Sequence, residues 1–245
     1  MRRFGLIGKT LKHSFSQRYF SGKFSTENIK GCQYDLFELS NIAEFPKLLQ
    51  NIPELVGLNV TLPYKNEVTQ FLSGLDRSAE KVEAVNVIKV EGDKLIGFNS
   101  DYFGFMNSLE NWLNGAVKKA LVLGTGGSSK AVKVALDDLD ISYQSVSRNS
   151  KADCLTYQQL NEDCKLLEDI QLIVNTTPLG MYPNVDDMAD IPFDRLTKKH
   201  FVYDLVYNPA ETKLMSVAKS KGAQVKNGLE MLELQAEKSW EIWNS

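Results

Sequence analysis

The stretch Gly57-Leu58-Asn59-Val60-Thr61-Leu62-Pro63-Tyr64-Lys65 decides how the rest of the chain is read. Its first part continues an apolar run, residues 55–60, with the length and residue types of a buried strand. Polar groups then arrive together, because Asn59, Thr61 and Lys65 gather where the strand ends. Pro63 suits the first turn of a helix, where its fixed φ and missing N–H do no harm. In open α/β sheets, ligands bind at the carboxyl ends of strands. A lysine at such an edge holds an anionic or hydroxylated ligand, or moves a proton.

Working outward, strands and helices alternate. Residues 4–7 form a short apolar run before Gly8, a first strand. Phe15, Tyr19, Phe20 and Phe24 fall on one face of a helix over residues 14–29. Residues 33–39 alternate as a strand does, and Asn41 is placed to cap a helix reaching residue 49. Residues 85–90 and 95–98 read as a hairpin through Glu91-Gly92-Asp93. Asp101 is placed to cap a helix running to residue 113. A second series follows: strands at 120–123, 143–147, 172–174 and 201–205, helices at 128–139 and around Leu214, Val217 and Ala218, and a last helix over 231–243. The polar stretch 184–190 reads as a surface loop. The expected fold class is α/β with two domains. Residues 1–102 form a first domain and residues 103–225 a Rossmann-like nucleotide domain, with a second boundary near residue 226 before the last helix.

Composition narrows the function. The chain has 245 residues, 43% hydrophobic and 24% charged, with a formal net charge of -3 and both signs dispersed. That argues against nucleic-acid or membrane-surface binding. Cys32, Cys154 and Cys164 are odd in number and widely spaced, which fits a reducing compartment. Two histidines, His13 and His200, with no close Cys/His cluster give no expectation of a metal. No signal peptide or membrane span is expected, so the expected location is the cytoplasm. A small-molecule substrate and a monomeric or homodimeric state are the expected partners.

Gly124-Thr125-Gly126-Gly127-Ser128-Ser129-Lys130-Ala131 follows an apolar strand and opens a helix. Gly124, Gly126 and Gly127 allow a tight turn and let backbone N–H groups approach a pyrophosphate at the helix N-terminus. The loop departs from GxGxxG, since the third small position falls late, at Ala131. An enzyme using NAD places an acid after the next strand to hold the ribose 2′-OH. Here Ser147-Arg148-Asn149 stands in that place, with Lys151 beyond. A carboxylate would repel a 2′-phosphate and an arginine pairs with it, so the expected cofactor is NADP.

Seven blocks, in order, resemble the motifs of shikimate dehydrogenases. Residues 57–65 resemble GxNVTxPxK. The run from Gly8 through Ser14 and Ser16 resembles GxPxxHSxSP, with Lys9 and Gln17 in place of the prolines. Residues 83–87 resemble GAVNT, differing at Glu83 and Val87, and residues 97–104 resemble GxNTDxxG, with Ser100 for Thr. Residues 175–181 resemble NATPxGM, residues 204–212 DxxYxPxxT, and residues 227–235 NGxxMLxxQ.

The resemblance implies reversible NADPH-dependent reduction of 3-dehydroshikimate to shikimate, on the route to chorismate and the aromatic amino acids. It implies that the C-terminal helix 226–245 joins the first domain, and it implies Lys65 and Asp101 as the chemical pair, either of them the general acid/base. Ser14 and Ser16 would bind the substrate carboxylate. Asn59, Thr61, Asn86 and Gln235 would bind ring hydroxyls, and Tyr207 the carboxylate or the nicotinamide. Gly124, Gly126, Gly127, Ser147, Arg148, Asn149, Thr176, Met181 and Gly228 would line the cofactor. A quinate or NAD-preferring dehydrogenase, a non-catalytic ligand sensor and a two-domain reductase of folate or tRNA-linked substrates stand as alternatives.

Overall fold

Strands rich in apolar side chains on both faces must be covered on both sides, and the chain does this twice. The computed structural model describes residues 1–11, 14–113, 117–150 and 152–245. They form two compact units: Met1–Gly104 with Glu233–Ser245, and Phe105–Leu232.

In the first unit the chain runs β1 (Arg2–Gly8), α1 (Phe15–Thr26), β2 (Cys32–Glu38), α2 (Phe45–Asn51), β3 (Leu55–Val60), β4 (Gly74–Leu75), α3 (Arg77–Val82), β5 (Val87–Glu91) and β6 (Lys94–Phe98). α4 (Ser100–Trp112) follows. The sheet order is β2-β1-β3-β5-β6-β4. β1 lies parallel to β2 and β3, while β5 runs antiparallel to both β3 and β6. The turn of direction at β5 has a consequence for function. The carboxyl ends of β1, β3 and β6 and the amino end of β5 fall on one edge of the sheet. Alternation along β1 divides two cores. Phe4 and Leu6 join Phe20, Phe24 and Tyr34, whereas Ile7 joins Phe45, Leu58 and Ile88.

In the second unit the order is β7 (Lys119–Leu123), α5 (Gly127–Asp138), β8 (Ser142–Ser147), β9 (Cys154–Thr156), α6 (Tyr157–Glu162), β10 (Leu172–Asn175), β11 (Phe201–Asp204), α7 (Lys213–Ser220) and β12 (Gln224–Asn227). The strands are all parallel, in the order β12-β11-β10-β7-β8-β9. The order reverses between β7 and β10, which is the switch point of a doubly wound nucleotide fold. Its core is the expected apolar run: Leu121, Leu123, Ile173 and Val202 are fully buried. α8 (Leu229–Asn244) returns the chain to the first unit.

The end of α8 explains the first residue of the decisive stretch. Trp243 packs on β3 at Gly57, where a Cβ would lie 2.2 Å from the indole. The indole Nε1 donates to the Ile88 carbonyl at 3.0 Å, and the ring sits 4.9 Å from Phe4.

Two expectations are corrected. Pro63 does not open a helix: residues 62–66 are turns, and a short 3-10 helix follows at Glu67–Phe71. Tertiary bonds claim the segment instead. Lys65 O accepts from Val85 N–H at 2.8 Å, and the buried Tyr64 hydroxyl donates to Leu39 O at 2.5 Å. Asp101 is not the cap of α4; the Asn99 side chain accepts from Tyr102 N–H at 3.0 Å and takes that role. Asp101 lies in the first turn. Short elements such as β4, α3, β9 and α6 carry too few residues to declare a period. Asn41 does cap, through Ala43 N–H at 2.9 Å, but the element it opens is a 3-10 turn that passes into α2.

Gly57→Ala is expected to lower the thermal midpoint, since overpacking a filled core costs about 1–3 kcal/mol. Melting followed by tryptophan fluorescence checks it; an unchanged midpoint would mean that Trp243 yields the space freely.

Candidate active site

The residues singled out in the first unit converge because of strand pairing. Asn59 stands opposite Val87, and Val87 opposite Phe98. The positions just beyond these strand ends, Lys65, Asn86 and Asp101, therefore meet. Lys65 Nζ lies 2.5 Å from Asp101 Oδ2, with the two side chains only 17% and 10% exposed. Such a pair is mostly shielded from water, so each charge holds the other in place. Thr61 is fixed on the same edge by its N–H, which donates to Ile7 O at 2.9 Å.

Beneath that pair runs a buried amide and hydroxyl network. Asn86 Oδ1 accepts from Ser100 N–H at 2.7 Å, and its Nδ2 donates to Ser100 Oγ at 3.1 Å and Gln235 Oε1 at 3.4 Å. Asn59 Nδ2 donates to Ser239 Oγ at 2.9 Å and to Asn86 O at 3.3 Å. The Tyr34 hydroxyl donates to Asn59 Oδ1 at 2.8 Å. Burial drives the Tyr34 phenol far above its usual range, so it stays a proton donor. Ser14 caps α1, accepting from Gln17 N–H at 3.3 Å. Ser16 lies in the first turn of the same helix. His13 of the same motif lies outside the described residues.

Tyr34 and Ser239 were unremarked in the sequence. Ser239 follows Gln235 by four residues and so shares its helix face, which is a usable signal. Tyr34 had none, since a lone tyrosine in a strand reads as core.

In the second unit the candidates gather at the carboxyl edge of the parallel sheet. Gly124 adopts φ +101, and a Cβ there would sit 2.9 Å from both Thr176 Oγ1 and Thr177 Cγ2. Gly126 is the N-cap of α5 and Gly127 its first residue. Thr176 donates its N–H and hydroxyl to Leu123 O, at 2.9 and 2.7 Å, tying the two sides of the switch point together. Ser147 shapes the turn after β8: its hydroxyl donates to Asn149 O at 2.5 Å and accepts from Asn149 N–H at 3.2 Å. Arg148 and Asn149 are exposed there, and Lys151 lies outside the described residues. Tyr157 follows Thr156, the partner of Ser147 in register, and its buried hydroxyl has no hydrogen-bond partner. Met181 is exposed on the loop after β10, Tyr207 is half-buried on the loop after β11, and Gly228 immediately precedes α8.

Asp204 holds those two loops. Its carboxylate accepts from Asn175 Nδ2 at 2.9 Å, Val206 N–H at 3.0 Å and the Thr212 hydroxyl at 2.6 Å. Asn175 in turn accepts from Thr177 N–H and its hydroxyl. Burial raises the Asp204 carboxyl above its ordinary value, against the pull of the three donors. Among the described residues no group of three His, Cys, Asp or Glu could hold a metal ion, and no helix is long and apolar enough to cross a membrane.

A glycine turn at the switch point of a doubly wound sheet, carried with a second α/β unit that presents a lysine–carboxylate pair, defines the class: a dinucleotide-dependent oxidoreductase. Residues 6–88 match the family model described as the shikimate dehydrogenase substrate binding domain. The chain is 37% identical over 258 residues to a Clostridium beijerinckii protein named shikimate dehydrogenase (NADP(+)), covering 99% of this chain and 92% of that one. Among solved structures it is similar to a chorismate mutase/shikimate 5-dehydrogenase fusion protein from Clostridium acetobutylicum. That match has a TM-score of 0.87 and 33% identity over 100% of this chain and 91% of that one. Another is shikimate 5-dehydrogenase from Thermus thermophilus in complex with NADP(H) and shikimate, at TM-score 0.85 and 26% identity over 99% and 93%. The chain belongs to the shikimate dehydrogenase family.

Asp204→Ala is expected to weaken the second unit, at about 1–3 kcal/mol for each donor left unsatisfied. Urea unfolding would show a lower midpoint; an unchanged one would mean that water replaces the carboxylate.

Proposed function

We propose that the chain reduces 3-dehydroshikimate to shikimate with NADPH, reversibly, as a step of aromatic amino-acid biosynthesis. The observation that carries the reading is the shielded Lys65–Asp101 pair, set on one sheet edge with Asn59, Asn86 and Gln235. In this reading the first unit binds the substrate and the second the cofactor.

The second unit fits a dinucleotide that bears a 2′-phosphate. The left-handed turn at Gly124 and the start of α5 suit a pyrophosphate, which would take backbone N–H groups of Gly126 and Gly127. The exposed Arg148 guanidinium suits a further phosphate. Thr176, Met181 and Gly228, with Ser147 and Asn149, would complete the lining. When bound, NADPH supplies the hydride that reduces the carbonyl carbon.

The chain's own residues manage the proton and the orientation. Lys65 Nζ donates to the ketone oxygen and stabilises the negative charge that develops on it. Asp101 aims the ammonium and accepts from a substrate hydroxyl. In the reverse direction the pair takes the hydroxyl proton back. Ser14 and Ser16 hold the carboxylate, and Tyr207 contributes to the carboxylate or the nicotinamide. Thr61 and Gln235 face the ring hydroxyls. Asn59 and Asn86, with their amides already engaged, give that rim its shape. The unpaired, half-buried cysteines support a cytoplasmic setting, and the protein acts as a monomer or homodimer.

NADPH absorbance with 3-dehydroshikimate, then NADP+ and NAD+ each with shikimate and with quinate, tests the reading. Turnover confined to quinate or to NAD+, or no turnover, would overturn it. Lys65→Ala is expected to fold normally and lose about 10²–10⁴ in kcat; a near-normal kcat would remove the lysine from the chemistry. Arg148→Ala is expected to raise KM for NADPH roughly tenfold, the low end for a charge-assisted bond because the site is exposed. KM for NADH should hardly move, and added salt should weaken NADPH binding more in the unmodified protein than in the variant. Equal losses with both cofactors would show a general structural role for Arg148.

A further inference from the structure

Asn99 is the single residue between the end of β6 at Phe98 and the start of α4 at Ser100. It is 3% exposed, and its side chain holds two segments at once. Nδ2 donates to Ala84 O at 2.9 Å, and Oδ1 accepts from Tyr102 N–H at 3.0 Å. A carbonyl can only accept and a backbone N–H can only donate, so a single orientation of the amide satisfies both. The main-chain N–H of Asn99 donates to Ser78 Oγ at 3.0 Å, a hydroxyl whose proton is committed to Asp76 Oδ1 at 2.7 Å. Asn99 is thus fastened by main chain and side chain alike.

These bonds close a ring on the Lys65–Asp101 pair. Ala84 is followed by Val85, whose N–H donates to Lys65 O at 2.8 Å. Tyr102 is preceded by Asp101, whose Oδ2 meets Lys65 Nζ at 2.5 Å. From the Lys65 main chain the path runs through Val85 and Ala84 to the Asn99 amide, on to the first turn of α4, and back through Asp101 to the lysine ammonium. The Asp101 carboxylate is one methylene from its backbone, so its place is that of the helix turn. The lysine, on a flexible stem, meets it only across the separation that the main chains allow. Asn86 Oδ1 braces the same junction at Ser100 N–H, but Asn86 also shapes the substrate rim. Asn99, buried and engaged at both ends of its amide, serves the brace alone.

We propose that Asn99 is a positioning residue for the proton-transfer step, setting the main-chain separation across which Lys65 and Asp101 meet. This rests on the functional reading above, in which that pair handles the proton. Asn99 acts through the pair, so its effect falls on kcat and not on the affinity for either ligand.

Asn99→Ser keeps a side-chain oxygen of comparable capping strength for α4 and removes the donor to Ala84 O. With shikimate and NADP+, kcat is expected to fall about ten- to hundredfold, as for a small misplacement of catalytic groups, with KM for shikimate within about threefold and KM for NADP+ unchanged. In a Lys65→Ala background the further loss in kcat should shrink to within about twofold, because the pair that Asn99 sets is already broken. A loss that persists in full in that background, an unaltered kcat, or parallel losses in kcat and both KM values with a lower thermal midpoint would each overturn the proposal and leave Asn99 as a helix cap. Should Asn99→Ser fail to fold, Ser78→Ala loosens the same residue through its main-chain N–H; kcat should then fall about threefold at steady KM, and an unaltered kcat would equally overturn the proposal. Lack of shikimate turnover in the unmodified protein would overturn the functional reading and this inference with it, whereas turnover with an indifferent Asn99→Ser overturns the inference alone.

Discussion

Two backbone hydrogen bonds hold the candidate site together. Val60 N–H donates to Asn86 O at 2.9 Å, and Asn86 N–H donates to Phe98 O at 3.0 Å. They stitch the ends of β3 and β6 to the residue that opens β5. Lys65 follows one of these ends and Asp101 the other, and Asn86 stands between. Were β5 parallel to its neighbours, Asn86 would sit at the opposite edge of the sheet and the group would not exist. The reversal of one strand is thus the constraint from which the polar edge follows.

The edge is kept rigid by what lies beneath it. Buried polar atoms are costly unless each finds a partner. Asn86, Ser100 and Ser239 are almost fully buried, and all three are hydrogen-bonded. α8 supplies one side of that network through Gln235 and Ser239, and its register on the sheet is set by Trp243 against Gly57. A helix far along the sequence therefore determines the orientation of amides on β3 and at the start of β5.

The second unit uses a buried charge in a comparable way. Asp204 lies at the end of β11 and gathers donors from the β10 loop, from its own loop and from the start of α7. The segments that carry Thr176, Met181 and Tyr207 are tied at their bases and exposed at their tips. Arg148 is exposed on the surface after β8, which suits a group that must exchange water for a phosphate.

Much of this was legible in the residues. Apolar runs such as 120–123 and 55–60 declare parallel and central strands wherever they fall, because burial on both faces excludes polar side chains. The glycine turn declares itself through backbone geometry that other residues resist at Gly124. The lysine and the aspartate were visible as polar groups at strand ends. Local pattern misjudged Pro63 and Asp101, because the partners that decide their roles, Val85, Leu39 and Asn99, act through hydrogen bonds absent from any short-range period. Tyr34 and Ser239 were invisible for the same reason: a hydroxyl in a strand or helix acquires meaning only from what faces it. The sequence by itself determined the order of strands and helices, the two-part α/β class and the chemical types at the strand ends, since these depend on periodicity and on side-chain chemistry carried within a few residues. Only the tertiary structure decided that the hairpin of β5 and β6 sets β5 against β3, that α8 closes the network beneath the site, and which way each amide points, because these depend on contacts between residues up to about two hundred positions apart, such as Gly57 and Trp243.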